Sequence, residues 1–204
     1  MFSRIIRFAA VLLCAWAQAS HAHHVMDYET PATALDGFLS GIGHPVIGVD
    51  HLIFVIGAGV LAARVRRGFL LPLLFVFASA LAVCFRYARP EVPLSEFWVA
   101  GSLLVLALVM LVFSAPRGAI VAVLFVLAGA IHGYALAEGI VGAERTPLFF
   151  YLAGLKLTLI VIAYLAWGAT LALFKARPGL PLYRLTGAAI GVAGLFFAAN
   201  AALG

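Results

Sequence analysis

Residues 119–141 read AIVAVLFVLAGAIHGYALAEGIV, an apolar run interrupted by one histidine and one glutamate. A helix of about 20 residues crosses the roughly 30 Å hydrocarbon core of a bilayer. In lipid such a segment must be helical, because a helix satisfies its own backbone groups. Five further apolar blocks lie at 45–63, 69–87, 94–114, 148–173 and 182–203, each bounded by Pro, Gly or charge. Connections between them are short, so successive helices are antiparallel. The expected fold is an all-α membrane protein, a bundle of six transmembrane helices over residues 44–204.

Composition supports lipid as the solvent. The 204 residues are 65% hydrophobic and 10% charged, with a mean hydropathy of +1.14; soluble domains run about 45–50% apolar and about 25% charged. A soluble domain and a disordered chain are thereby excluded. Cys14 and Cys84 sit in separate apolar stretches and build no disulfide framework. The pI of about 9.6 does not imply nucleic acid, because the basic residues are scattered between apolar blocks and form no stripe. No repeat, linker or low-complexity tract is evident.

The N-terminus reads as a cleavable secretory signal peptide over residues 1–22. Arg4 and Arg7 precede a short apolar stretch at 8–16, and small residues at 17–22 offer cleavage sites. An uncleaved signal anchor is the alternative. Cleavage leaves a periplasmic, histidine-containing segment at 23–43 that begins with His23 and His24 and contains no Lys or Arg. With that end outside, the inner loops hold Arg64, Arg66, Arg67, Arg117, Lys175, Arg177 and Arg184. The outer loops hold only Arg86, Arg89 and Arg145. The excess of inner charge agrees with the positive-inside rule and places the chain in a bacterial inner membrane.

Against this background the ionisable residues inside the apolar blocks stand out: His44, Asp50, His51, Glu96, His132, Glu138 and Lys156. Each costs on the order of 2.5–3.5 kcal/mol at the centre of a lipid-facing helix, so such residues face the bundle interior or water. The expected topology places all seven in the outer half of the bilayer, around one outward-facing cavity. Imidazole with carboxylate suits borderline divalent ions such as Ni²⁺, Co²⁺ or Zn²⁺. His23 and His24 are accessory candidates that capture metal at the surface, unless that segment is inert. Lys156 either pairs with Asp50 or Glu138 or snorkels to an interface.

Spacing constrains the set. His44 and His51, seven residues apart, are separated by about 10 Å of rise in a regular helix, whereas two ligands of one ion lie about 3–4 Å apart. Either the chain bends, with Pro45 disfavouring helical geometry at His44 and Gly48 permitting a break, or the histidines are successive stations on one path. Gly133 and Gly139 allow close helix approach, and Gly187, Gly191 and Gly194 read as packing residues.

The stretch His44-Pro45-Val46-Ile47-Gly48-Val49-Asp50-His51 resembles the HPxxGxDH signature of the HupE/UreJ family of nickel and cobalt permeases. Ile131-His132-Gly133-Tyr134-Ala135-Leu136-Ala137-Glu138 is similar to a second family signature, FHGxAxGxE, departing at Ile131 and Ala137. Asp36 to Gly41, and Glu96 followed by Ser102, also resemble the family. The resemblance implies that His44, Asp50, His51, Glu96, His132 and Glu138 handle metal, that Ni²⁺ or Co²⁺ is the transported substrate, and that the function is linked to hydrogenase or urease maturation. It implies a secondary transporter and no enzyme, with no permanently bound cofactor; a nucleic-acid partner is already excluded by the scattered basic residues. No Walker A motif indicates ATP hydrolysis. The alternative is an intramembrane zinc-dependent hydrolase using Asp50, His51, His132 and Ser79 or Ser102; the absence of HExxH argues against it. A bis-histidine haem carrier is disfavoured by the flanking carboxylates.

Overall fold

The computed structural model describes residues 30–88 and 95–203, and among them every regular element is helical. The signal peptide expected at 1–22, with His23 and His24, lies outside the described residues. Seven α-helices follow in order: α1 Ala34–Ile47, α2 Val49–Ala62, α3 Leu71–Ala88, α4 Ser95–Val112, α5 Gly118–Leu136, α6 Arg145–Ala176 and α7 Leu182–Leu203. Short 3-10 turns, Gly68–Leu70 and Ala137–Gly139, precede α3 and follow α5.

The helix α1 starts ahead of the first apolar block, and its start is written in a capping box. Thr33 Oγ1 accepts from the Asp36 N–H (3.2 Å) while Asp36 Oδ2 accepts from the Thr33 N–H (2.9 Å), so first-turn donors are satisfied reciprocally. Pro45 lies inside α1 and His44 is helical, which corrects the expectation that the proline would push His44 out of helical geometry. The break falls three residues later, at Gly48, where α1 and α2 meet at 76°. Proline is a usual cause of such kinks.

That break corrects the picture of block 45–63 as one straight span. Helix α2 has 14 residues, about 21 Å of rise, too short to cross alone. Among the described residues, four helices are long and apolar enough to cross a membrane, in the segments Gly68–Ala88, Gly118–Gly139, Arg145–Ala176 and Leu182–Leu203, and the bent pair α1–α2 makes five. Helix α4 is apolar but shorter than the expected block, because Ser114-Ala115-Pro116 follow its early end at Val112. Among the described residues there are therefore four or five candidate spans where the apolar blocks suggested six.

Three helix pairs carry the packing, α1 with α6, α3 with α5 and α4 with α7, and α2 threads between them against α6, α7 and α4. Nine of the fourteen α2 residues are buried, among them His51, Phe54, Val55 and Leu61, as expected of a helix apolar on every side. Close backbone approach makes two of the pairs. A β-carbon on Gly41 would strike the Tyr151 carbonyl of α6, and one on Gly133 would strike the Ser79 backbone of α3. Gly187 and Gly194 lie instead against side chains of α4, those of Met110 and Leu104. The outward faces are apolar, with Phe77, Leu108, Phe149 and Leu165 more than half exposed, a surface suited to lipid and not to water.

Charge separates along the bundle. The described carboxylates Asp36, Asp50, Glu96, Glu138 and Glu144 lie towards one end, with Arg86 and Arg145, and the larger basic group of Arg64, Arg66, Arg67, Arg117, Lys175, Arg177 and Arg184 lies at and beside the turns of the other. At the basic end Arg64 donates to the Ser114 carbonyl (3.1 Å) and lies over the Phe174 and Tyr183 rings at 5.2 and 5.4 Å.

Candidate functional site

The bend at Gly48 brings the two ends of the HPVIGVDH stretch together. Its φ of −69° is open to any residue; space is what requires glycine, since a β-carbon would stand 2.8 Å from Cδ2 of the His51 ring. Beyond the bend, Asp50 Oδ1 accepts from the His51 N–H (2.8 Å). A carboxylate in the first turn of α2 thus satisfies a donor that the helix leaves unpaired, at the positive end of its dipole. Asp50 is half-buried and His51 is buried.

On the other side of the bend His44 is buried in the last turn of α1. A β-carbon on Gly139 would overlap its Nδ1, so the glycine opens room for the imidazole. Gly139 was expected to favour helix approach; it makes way for a side chain instead. The His44 and His51 ring centroids are 6.4 Å apart. The bend shortens the separation that a straight helix would impose.

The His51 ring meets α5. Its Nδ1 is 2.8 Å from Nδ1 of His132, across 81 residues of sequence. His132 is completely buried, with the Phe54 ring at 4.2 Å and the Phe75 ring at 5.8 Å. Its Nε2 is 2.8 Å from Ser102 Oγ of α4, and Ser102 Oγ donates to the Val99 carbonyl at 2.7 Å. A polar string therefore runs through the apolar core: His44 beside His51, then His132, Ser102 and the Val99 carbonyl, drawn from α1, α2, α5 and α4. Buried polar groups persist in such surroundings when they bond one another.

The other candidate residues lie elsewhere. Glu96 is exposed in the first turn of α4, and Glu138 is exposed in the 3-10 turn after α5 although Ala137 and Gly139 on either side are buried. Lys156 is exposed on α6, and no described ion pair joins it to Asp50 or Glu138. Among the described residues, no group of three or more His, Cys, Asp or Glu is spaced to hold one metal ion. The arrangement is a string and not a closed cage. Ser102 is the residue whose place in the string was hardest to foresee, and its signal was present: it is the only hydroxyl between Ser95 and Ser114 apart from those two ends. Ser79, beside Gly133, is buried with no described hydrogen-bond partner for its hydroxyl.

No curated protein and no solved structure matches the chain. Residues 10–197 match the family model described as HupE / UreJ protein. That match spans nearly the whole chain and includes every element of the histidine string, so the protein belongs to the HupE/UreJ family.

Proposed function

We propose that this protein is a secondary transporter that takes up nickel, or cobalt, from the periplasm across the inner membrane. The observation that carries the reading is the convergence of three imidazoles from three helices, His51 against His132 at 2.8 Å with His44 at 6.4 Å from His51. The imidazole nitrogens of His44 and His51 beside the Asp50 carboxylate are a donor set that Ni²⁺ and Co²⁺ accept, with His132 packed behind His51. Spread along a path, it offers stations that capture an ion and then release it, as permeation requires. Asp50 supplies negative charge beside the string, and Glu96 and Glu138, exposed at the same end, attract the cation before it reaches the histidines. The ion is substrate, and no resident cofactor is invoked.

In this reading the bent pair α1–α2 and the short α4 complete a six-span topology, with the mature N-terminus periplasmic and the basic turns in the cytoplasm. The membrane potential favours inward movement of a divalent cation. Delivery to hydrogenase or urease maturation is the role implied by the family resemblance. The hydrolase alternative finds no support at Ser102, which spends its proton on the Val99 carbonyl where an activated serine donates to a histidine, and among the described residues no three ligands are grouped to hold a catalytic zinc beside Ser79.

Radioactive nickel accumulation in cells that lack other nickel importers tests the proposal. Wild type restores accumulation, and His51→Ala abolishes it at equal expression. Accumulation indifferent to His51→Ala overturns the reading; zinc retained stoichiometrically through purification would then favour the hydrolase.

A further inference from the structure

The hydrogen-bond string has a direction, and the direction follows from counting protons. Ser102 Oγ and the Val99 carbonyl oxygen are 2.7 Å apart, which requires a proton between them, and only the hydroxyl has one. Towards His132 the Ser102 oxygen must therefore accept, so Nε2 of His132 carries hydrogen. A neutral imidazole bears one N–H, and His132 sits completely buried against two phenylalanine rings, where an unpaired charge is costly. Its lone pair is then on Nδ1. That nitrogen faces Nδ1 of His51 at 2.8 Å, so His51 donates from Nδ1, and in the neutral form that metal binding requires its lone pair is on Nε2. The carbon bonded to that nitrogen, Cδ2, lies on the side of Gly48 and the helix break.

From this we infer that Ser102 and His132 are positioning residues, which fix His51 in the tautomer that offers Nε2 to the transported ion, and that His132 is not itself a ligand. Both ring nitrogens of His132 are committed to protein partners. The inference rests on the proposed function in taking His51 as a metal ligand. It assigns to α4 and α5 the work that outer partners of ligating histidines generally do, setting tautomer and ring orientation.

Two measurements test it. The first is solid-state NMR of metal-free, ¹⁵N-histidine-labelled full-length protein in lipid bilayers, with His51 and His132 signals assigned by their loss in single variants. Wild type shows His51 protonated at Nδ1 and His132 at Nε2; Ser102→Ala mixes the tautomers of both rings, and Ser102→Thr, which keeps the hydroxyl, restores them. Wild-type His51 protonated at Nε2, or tautomers unmoved by Ser102→Ala, overturns the inference. The second is calorimetric titration with Ni²⁺ alone. His132→Gln can still accept from His51 and donate to Ser102, so it holds affinity within about threefold, while His132→Leu loses about 10–100-fold. Equal losses in Gln and Leu variants make His132 a ligand and overturn the inference. Wild-type protein that binds no nickel, yet shows these tautomers, overturns the transport reading and leaves the string's direction established.

Discussion

Gly139, just past the end of α5, and His44, in the last turn of α1, occupy one shared space: a β-carbon on the glycine would overlap Nδ1 of the imidazole. The atom it meets is the far end of a side chain, so a substitution there moves the ring and spares the backbone. Gly139→Ala is accordingly expected to lower nickel uptake about tenfold, while the melting temperature of the purified protein changes little. A full loss of folded protein, or uptake equal to wild type, would contradict this account of His44.

Gly133 gives the opposite expectation, although it too makes a close approach. Its neighbour is the backbone of Ser79 on α3, which cannot rotate away. Gly133→Val is expected to separate α3 from α5 and cost about 1–3 kcal/mol or more of stability, seen as a lower melting temperature in detergent and reduced yield. An unchanged melting temperature would mean that the helices do not approach so closely.

Asp50 serves the fold and, in the proposed function, the ion; the two roles separate by substitution. Asp50→Asn keeps an oxygen that can accept from the His51 N–H but loses the charge, so stability changes by less than about 1 kcal/mol. Nickel accumulation is expected to fall by more than about tenfold. Asp50→Ala removes both and lowers stability as well. Wild-type uptake by the Asn variant would confine Asp50 to the helix terminus.

Arg64 is expected to matter for the fold alone. Its contacts with Phe174, Tyr183 and the Ser114 carbonyl combine cation–π attraction with a hydrogen bond, so Arg64→Ala costs about 1–2 kcal/mol. It lies thirteen residues beyond His51, roughly 20 Å along the helix axis, and nickel affinity measured by calorimetry should be unaltered. A loss of affinity with no loss of stability would place Arg64 on the ion's path.

Much of this architecture is legible from residue order. Apolar runs near 20 residues long must be helical in lipid, because each backbone group has to find a partner within the segment, and this is a local property that needs no tertiary information. The asymmetry of arginines between alternate turns and the HPVIGVDH stretch are equally local. The early start of α1 has a local signal as well, the capping box at Thr33 and Asp36, whereas the helical conformation of His44 was not legible, since the break is deferred to Gly48 against the plain reading of Pro45.

What only the tertiary structure decided is which polar residues meet. His51 and His132 are 81 positions apart, and their contact, with Ser102 beyond it, depends on how α2, α4 and α5 pack. That packing is set by glycines that let backbones approach and by the 76° turn between α1 and α2. Glu96, Glu138 and Lys156 look equivalent to the histidines by depth alone, yet their helices turn them outward. Hydropathy places a residue along the membrane normal; only the rotation and crossing of packed helices determines which neighbours it touches.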